Sequence, residues 1–338
     1  MDTAFITGVS GFVGAAVART LLRQGLKVRG LVRATSNRAG IDALDIELVQ
    51  GDLLDGAAIA RGVAGCRYVF HVAADYRIWA PEPGEMYRSN VDGTEHVLRA
   101  AAKAGAERIV YCSSVAAIKA PRDRTPSDES SEYAHAGEVI GPYKKSKYLA
   151  DVLARRLARD EGLPVVVVNP ATPVGPGDAR PTPTGKIVVD FLGGRMPAYV
   201  DTGLCVVHVD DVAHGHWLAA TQGRIGERYV LGGENMTFKQ MLDLLAAASG
   251  LRAPRVALPY SLVFAFGALD SAWARLRGTE PTAPLDAIRM ASHYMWFSSG
   301  KAQRELGYSP RPAAHAVQDA VAWYTAHGYA PARREESR

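Results

Sequence analysis

The sequence predicts an α/β fold, a doubly wound parallel Rossmann sheet with a smaller, mostly helical substrate lobe. Short apolar runs alternate with helical segments through the first half of the chain, and this alternation implies parallel strands joined by right-handed crossovers. The run 165–168 is all valine, as expected of a strand buried on both faces. The chain opens with a strand, a glycine turn and a helix, which is the start of a dinucleotide-binding unit.

The predicted elements follow one another regularly as far as Pro170. Beyond it lies a long loop rich in proline and glycine, which we interpret as a cap over the substrate. A strand at 204–207 and a helix at 210–221 are then expected to return to the sheet. Strands are predicted at 3–7, 27–32, 46–49, 67–72, 108–112 and 164–169, and helices at 13–24, 56–62, 90–104 and 142–161.

These patterns divide the chain into two units. Residues 1–175 with 204–236 form the predicted dinucleotide-binding Rossmann domain. Residues 176–203 with 237–330 form the predicted substrate-binding lobe, and 331–338 a frayed tail. The lobe is expected to lie over the carboxyl ends of the strands, where open α/β sheets bind their ligands.

Bulk composition excludes several classes of protein. The chain has 338 residues, of which 48% are hydrophobic, and a formal charge of +4 that is too mild to indicate a nucleic-acid partner. Its three cysteines are widely spaced, so they predict neither a disulfide framework nor a zinc site. No stretch approaches the roughly 20 apolar residues of a membrane span. The chain begins directly on the first strand, without room for a signal peptide, and we expect a cytoplasmic protein.

The glycine turn has the spacing of an anion cradle. Gly8 permits the tight turn, Gly11 lets the backbone approach a pyrophosphate, and Gly14 lets the helix pack closely on the strand. The anion then meets free N–H groups at the positive end of the helix dipole. The spacing is Gly-x-x-Gly-x-x-Gly, and a glycine-rich turn without a ligand is the less favoured reading.

A tyrosine and a lysine are spaced for acid–base chemistry. Tyr143 and Lys147 lie one turn apart in a predicted helix, so their side chains share a face. A phenol has a reference pKa of about 10, and a nearby ammonium favours the phenolate. We therefore expect Lys147 to lower the pKa of Tyr143, which can then exchange a proton with a carbinol or carbonyl.

Together these motifs resemble the extended short-chain dehydrogenase/reductase family, whose glycine loop is written Thr-Gly-x-x-Gly-x-x-Gly. The resemblance covers nearly the whole chain. The stretches at 73–81, 181–186 and 195–203 are most similar to hopanoid-associated sugar epimerases, relatives of dihydroflavonol reductases. The family resemblance implies that Ser114, rather than Ser113, is the catalytic serine that orients the substrate oxygen. It also implies cofactor contacts from Ser10, Phe12, Val13, Asp52, Leu53, Ala73, Ala74, Pro170 and Thr172, besides the three glycines, Tyr143 and Lys147.

The end of the second predicted strand decides between NAD and NADP. NAD-specific folds place an acidic residue about twenty positions beyond the glycine loop, and none stands there. Arg33 is followed by Ser36, Asn37 and Arg38, a set that suits a 2′-phosphate. The sequence therefore favours NADP over NAD, with a solvated basic loop as the alternative.

Two further chemistries are not supported. Family members that dehydrate nucleotide sugars carry Asp-Glu directly after the catalytic hydroxyl residue, whereas Val115 and Ala116 stand there. The sequence therefore does not support a sugar dehydratase of that kind.

A metal site is suggested by the cluster His208, Asp210, Asp211, His214 and His216, but His214 and His216 cannot share one helical face. We predict no metal. Cys112 is interpreted as a buried strand residue, not a nucleophile.

The substrate pocket is the least determined part of the site. The resemblance suggests Tyr76, Thr184 and Tyr199 as lining residues, with packing within the lobe as the alternative for each. An apolar run at 257–274 could contact a membrane surface or an apolar substrate, but we favour a lobe helix packed on the core. Trp79, Arg180 and Lys186 are secondary candidates for the pocket.

The sequence thus predicts an NADP(H)-dependent oxidoreductase that transfers hydride to or from a carbinol or carbonyl carbon. The resemblance suggests a small or lipid-linked sugar, or a sugar-bearing hopanoid lipid, as substrate. A sugar epimerase with no net redox change is the first alternative, and a non-catalytic NADP-binding sensor is the second. A transient membrane-surface contact and a homodimer paired through the helices at 90–104 and 142–161 are further expectations.

Overall fold

A seven-stranded parallel sheet forms the centre of the computed structural model, which describes residues 1–77, 82–120 and 123–329. The strand order is β10-β6-β5-β4-β1-β2-β3, so the chain reverses direction across the sheet between β1 and β4. Ligands of open α/β sheets bind at such a switch point. The strands are β1 Thr3–Thr7, β2 Lys27–Val32, β3 Ile46–Gln50, β4 Tyr68–His71, β5 Arg108–Cys112, β6 Val165–Pro170 and β10 Arg228–Leu231.

Helices cover both faces of this sheet. On one face α1 Phe12–Arg23, α7 Val209–Gln222 and α11 Gly300–Leu306 pack on the sheet residues that include Ile6 and Val166. On the other face lie α2 Gly56–Val63, α4 Gly93–Lys103 and α5 Gly141–Glu161. The short helix α3 Pro83–Tyr87 leads into one π-helical turn, Arg88–Asp92, directly before α4.

The lobe has its own apolar core, which includes Phe191, Met241, Val317 and Tyr324. A second sheet joins it to the central domain, and a two-stranded parallel pair lies outside that sheet. The second sheet contains β7 Thr172–Val174, β9 Gly203–His208, β11 Glu234–Thr237 and β13 Tyr294–Met295, and the pair is β8 Ala198–Val200 with β12 Val256–Leu258. The helices are α6 Pro183–Leu192, α8 Phe238–Ser249, α9 Tyr260–Arg277, α10 Leu285–Ala291 and α12 Ala313–Ala326.

The fold class and the first six strands are confirmed, and two local predictions are wrong. The strand predicted at 204–207 pairs with β7, β11 and β13 rather than returning to the central sheet, whose seventh strand is β10. The helix predicted at 90–104 is present, although its first residues belong to the π-helical turn. The apolar run at 257–274 is not packed on the core, because only Gly267 and Ala274 of α9 are buried.

Residues 300–308, which the predicted division assigns to the lobe, pack instead on the central domain. Ala302, Leu306 and Tyr308 belong to the same buried cluster as the α1 face of the sheet. The predicted tail, 331–338, lies outside the described residues. Within the part of the chain that is described, no helix combines the length and apolar character needed to cross a membrane.

We predict that Gly14→Ala destabilises the protein by about 1–3 kcal/mol, the usual scale for overpacking. A Cβ at position 14 would lie 2.0 Å from the Gly8 carbonyl oxygen, so α1 would have to move off the glycine turn. Urea denaturation measures the effect. Gly56→Ala is the control, since a Cβ there has no atom within 4 Å. Equal stability of the two variants would contradict the close approach.

Candidate active site

The glycine turn lies at the switch point and has the geometry of an anion cradle. Gly8 has φ +72°, and a Cβ there would lie 2.7 Å from the backbone nitrogen of Ala73. The Gly11 N–H donates to the Gly8 carbonyl at 2.9 Å. Gly11 caps α1 without a side-chain hydrogen bond, and the first turn holds no acidic residue. The first N–H groups of α1 therefore remain available to an anion.

The predicted cofactor contacts surround this turn. Ser10, Phe12 and Val13 are partly exposed at the start of α1, and Ala73 and Ala74 are partly exposed after β4. Leu53 is buried after β3, whereas Asp52 is exposed. Pro170 is buried at the end of β6, and Thr172 begins β7. All lie near the carboxyl ends of central strands, and this arrangement fits a dinucleotide with its pyrophosphate at α1.

Arg33 follows β2 as an exposed, unpaired cation among the described residues. Its backbone N–H donates to Ser36 Oγ at 2.9 Å, which closes a turn. Burial raises the pKa of Asp75, which follows β4, but the hydrogen bonds and charge of Arg77 outweigh this and lower it. The charge of Arg33 adds to the lowering. Arg38 is exposed and lies 3.9 Å from the Asp42 carboxylate. Arg33 thus stands between the ends of β2 and β4, while Arg38 faces solvent.

Ser114, Tyr143 and Lys147 come together between β5 and α5. The Ser114 hydroxyl lies close enough to Tyr143 to act on the pKa of its phenol, and its Oγ accepts from the Ala116 N–H at 3.1 Å. Lys147 is buried and donates to the Cys112 carbonyl at 2.8 Å. Ser113 is buried whereas Ser114 is partly exposed. The structure therefore brings the predicted serine, and not its neighbour, to the tyrosine.

Asn169 fixes the backbone of this serine against α5. Its side-chain amide donates to the Ser114 carbonyl at 2.9 Å and to Asp151 Oδ1 at 3.0 Å. Asp151 is in turn held by the buried Arg228, whose Nη1 lies 3.3 Å from its Oδ2. A buried charge is tolerated when it is paired and hydrogen-bonded, so this cluster rigidly joins β6, α5 and the serine.

The pKa of Tyr143 does not follow the expectation from sequence. Burial raises it to about 12, although the hydrogen bond from Ser114 acts in the opposite direction. The Lys147 ammonium donates to the Cys112 carbonyl at 2.8 Å and lies 5.0 Å from the centre of the Tyr111 ring. Burial also lowers the pKa of Lys147. The protein alone thus holds Tyr143 as a neutral phenol.

A buried hydrogen-bonded chain, which the sequence did not reveal, joins the glycine turn to the catalytic helix. Thr94 donates to the Asn90 carbonyl at 2.7 Å, so its oxygen is free to accept from His71 Nε2 at 2.9 Å. His71 Nδ1 then accepts from Thr7 Oγ1 at 2.7 Å, and Thr7 accepts from the Ala73 N–H at 3.3 Å. Each donor meets an acceptor only if His71 is neutral and protonated at Nε2.

Asn90 extends this chain to α5. Its amide donates to Ser146 Oγ at 2.9 Å and to the Asp75 carbonyl at 2.8 Å, while its oxygen accepts from the Asp75 N–H at 2.7 Å. Ser146 donates to the Tyr143 carbonyl at 2.8 Å. The only sequence signal for this arrangement was the Asn-Val-Asp-Gly-Thr stretch that opens a helix at residue 90.

Comparison with known proteins places this geometry in a family. The sequence profile of the NAD dependent epimerase/dehydratase family matches residues 4–232. The chain belongs to this family. A protein of Synechocystis named as a candidate dihydroflavonol 4-reductase is 43% identical over 97% of this chain and 96% of its own length. Sterol demethylase protein B of Methylococcus capsulatus is 33% identical, with 96% and 99% covered.

Solved structures agree with the assignment. The crystal structure of gox2253 is 47% identical with a TM-score of 0.88, covering 98% of this chain and 100% of its own. A nucleoside-diphosphate-sugar epimerase from Pseudomonas aeruginosa is 26% identical with a TM-score of 0.79, covering 98% and 99%. The chain is therefore an NAD(P)-dependent enzyme of the extended short-chain dehydrogenase/reductase type.

The candidate substrate residues of this family member lie in different surroundings. Tyr76 is 41% exposed, and its pKa is raised by burial and by the charge of Asp178, which places it beside the loop that follows β7. Thr184 is partly buried in the first turn of α6. Tyr199 lies on β8 and packs against the core of the lobe. A single cleft lined by all three stays a prediction.

Arg180 and Lys186, two of the secondary candidates, are both exposed. Lys186 pairs with Asp190 at 2.9 Å on the exposed side of α6. Trp79 lies outside the described residues.

Lys144 was missed because its neighbours read as a solvated lysine-rich helix face. It is buried, and burial lowers its pKa to about 8. Its Nζ lies 3.6 Å from Met295 Sδ on β13. A largely desolvated amine therefore stands at the junction of the catalytic helix and the lobe, next to Tyr143.

The histidine and aspartate cluster near α7 is engaged in structural contacts. His208 caps α7 by accepting from the Asp210 N–H at 3.0 Å, and its Nε2 lies 3.1 Å from Asp319. Asp211 pairs with Arg311 at 2.8 Å. In the described ranges, no group of three or more His, Cys, Asp or Glu is arranged to hold a metal. Burial raises the pKa of the Cys112 thiol to about 11, so this cysteine is not an activated nucleophile.

We predict that neutral His71 makes folding sensitive to acid. Burial, followed by the charge of Lys147, lowers its pKa to about 3, whereas the unfolded chain takes up the proton near pH 6.5. Stability contributed by neutral His71 is therefore lost as pH falls from about 6.5 towards 3, with a slope of about 1.4 kcal/mol per pH unit. In urea denaturation between pH 4 and 6, His71→Gln should reduce the slope by about 1.4 kcal/mol per pH unit, while buried His216, whose pKa is lowered to about 4, retains its own contribution. His96→Gln, at an exposed position on α4, should retain the full slope, and unchanged slopes in both variants would refute the prediction.

Proposed function

We propose that the protein is an NADP(H)-dependent oxidoreductase that transfers hydride to or from a carbinol or carbonyl carbon. The observation that carries this proposal is the juxtaposition of Ser114, Tyr143 and the buried Lys147 where β5 meets α5, at the carboxyl edge of the sheet. When bound, the nicotinamide supplies or accepts the hydride. Ser114 orients the substrate oxygen, and Tyr143 exchanges the proton with it.

The raised pKa of Tyr143 favours reduction as the working direction. A phenol with a pKa of about 12 is protonated at neutral pH, so it is ready to donate to a carbonyl oxygen as hydride arrives at carbon. Oxidation would require the phenolate, which Lys147 favours only if its ammonium turns from the Cys112 carbonyl. We assign Lys147 this role together with a hydrogen bond to the nicotinamide ribose.

Arg33 supports NADP over NAD. It is exposed, with no acidic partner of its own within the described residues, and it stands at the end of β2 beside the switch point. A guanidinium there can bind a 2′-phosphate through charge-assisted hydrogen bonds. The adjacent Ser36 hydroxyl closes the turn that carries it.

The names of relatives support a carbonyl borne by an apolar molecule as the substrate. A Stigmatella aurantiaca relative, 32% identical over 91% of this chain, is a 4-hydroxy-2-methyl-3-oxo-4-farnesyl-3,4-dihydroquinoline-1-oxide ketoreductase. The Methylococcus relative described above is named for a sterol. We propose a lipid-borne carbonyl or carbinol, with a sugar-bearing hopanoid-related lipid as the narrower hypothesis from sequence.

An epimerase that oxidises and re-reduces one sugar carbon is the second candidate. It is favoured by the likeness to the Pseudomonas nucleoside-diphosphate-sugar epimerase. Product formation without net NADPH consumption would identify it, whereas net consumption identifies the reductase. Cofactor binding without any turnover would instead support a non-catalytic sensor.

We predict that Tyr143→Phe lowers turnover by about 10²-fold or more, the usual scale for a positioned acid, with little change in cofactor affinity. Lys147→Ala should impair both. Tyr148→Phe, which removes a hydroxyl from the same helix, is the control. The readout is single-turnover NADPH oxidation with a panel of lipid ketones. Near wild-type turnover of Tyr143→Phe would assign the proton to another group.

We also predict that NADPH binds at least about tenfold more tightly than NADH, equivalent to about 1.4 kcal/mol. Arg33→Asp should reverse this order, because the carboxylate repels the 2′-phosphate and accepts from ribose hydroxyls. Arg156→Asp, the same charge change at an exposed position on α5, should leave it intact. Calorimetry measures the six affinities of the three proteins for the two nucleotides. Equal wild-type affinities for the two nucleotides would disprove the NADP assignment.

A further inference from the structure

Helix α9 presents an apolar face to solvent. Its large apolar side chains recur at alternating intervals of four and three residues, so they form one stripe along the helix. The helix packs on α10 through its other side, where a Cβ at Gly267 would lie 2.0 Å from Ile288 Cδ1. The stripe consists of Leu262, Phe266, Leu269, Trp273 and Leu276, with exposed fractions of 62, 59, 73, 55 and 81%.

The polarity of α9 is thus inverted with respect to a helix of a soluble domain. Its one acidic residue, Asp270, turns towards the lobe and accepts from the Ala283 N–H at 2.8 Å. The preceding strand β12 extends the apolar surface, because Val256 and Leu258 are 57 and 39% exposed. Contiguous apolar patches of this kind mark interaction sites.

Arginines border the stripe. Arg275 and Arg277 occupy the last turn of α9, and the Arg277 guanidinium lies 4.4 Å from the centre of the Trp273 ring. Arg252 and Arg255 are exposed shortly before the helix. None of these four forms an ion pair with another described residue. The rim is therefore cationic, with four guanidinium groups that are not held in ion pairs within the described ranges.

We propose that this face of α9 lies on an anionic lipid bilayer, with the helix axis parallel to the surface. An apolar stripe carrying Trp and Phe and flanked by arginines has the composition of an interfacial helix, whose apolar face enters the acyl boundary while its cations meet lipid phosphates. A second copy of the chain fits less well, since it would bring two cationic arginine rims together.

The position of α10 links this surface to the active site. Asp286 of α10 lies against the start of α5, where a Cβ at Gly141 would be 3.0 Å from its Oδ2. Gly141 precedes Tyr143 by two residues. A protein docked through α9 would therefore hold the first turn of its catalytic helix one helix away from the lipid surface, where a lipid-borne substrate is available.

Flotation of the full-length protein with vesicles tests the proposal without any substrate. Binding is expected to vesicles of phosphatidylcholine mixed with phosphatidylglycerol, weaker to phosphatidylcholine alone, and reduced by salt. The double variant Leu269→Ser/Trp273→Ser should lose about tenfold or more in partitioning. Arg275→Gln/Arg277→Gln should weaken binding to the anionic vesicles alone. Ile225→Ser, at an isolated exposed apolar residue, is the matched control and should bind like wild type.

Thermal melting shows whether each variant is folded, and sedimentation velocity shows whether it self-associates. The proposal holds if folded Leu269→Ser/Trp273→Ser protein fails to float while the control floats. It is overturned if wild type ignores anionic vesicles, if the double variant floats undiminished, or if the stripe proves to hold two copies together. Because no turnover is measured, these results are independent of the proposed reaction.

Discussion

The site depends on the two hydrogen bonds that the neutral imidazole of His71 makes. Its two nitrogens connect Thr7, at the end of β1, to Thr94, at the start of α4. A protonated ring would have to donate from both nitrogens, and Thr7 would lose its acceptor. Burial enforces the neutral form, so the same desolvation that makes this position costly in acid keeps the glycine turn and the catalytic side of the sheet in register.

The chain from His71 also explains the irregular start of α4. Asn90 lies in the π-helical turn, from which its side chain reaches the Asp75 backbone and Ser146 at once. Such turns inside helices are frequent at functional sites, because they redirect one side chain without ending the helix. Here the redirected amide joins the segment after β4 to the helix that carries Tyr143 and Lys147. The position of the tyrosine is thus set by the same contacts that shape the cofactor side.

The two sides of the lobe have opposite characters. Towards the central domain, Lys144 and Met295 form a closely packed junction in which burial lowers the pKa of the amine. Away from it, α9 carries its large apolar residues outward and rests on α10 through the small Gly267. The buried junction and the exposed apolar stripe can therefore be altered separately, since they lie on different faces of one small unit.

Local periodicity was enough to predict the parallel sheet, the glycine turn and the shared face of Tyr143 and Lys147, because each depends on neighbours within a few residues. The membership of β9 in a second sheet, the chain through His71 and Asn90, and the burial of Lys144 depend on residues far apart in sequence. The raised pKa of Tyr143 and the exposure of the apolar face of α9 also depend on contacts between residues far apart in sequence. The spacing of apolar residues shows that a helix has an apolar face, but only the packed structure decides whether protein covers that face. The packed structure likewise decides how far water is excluded from a titratable group.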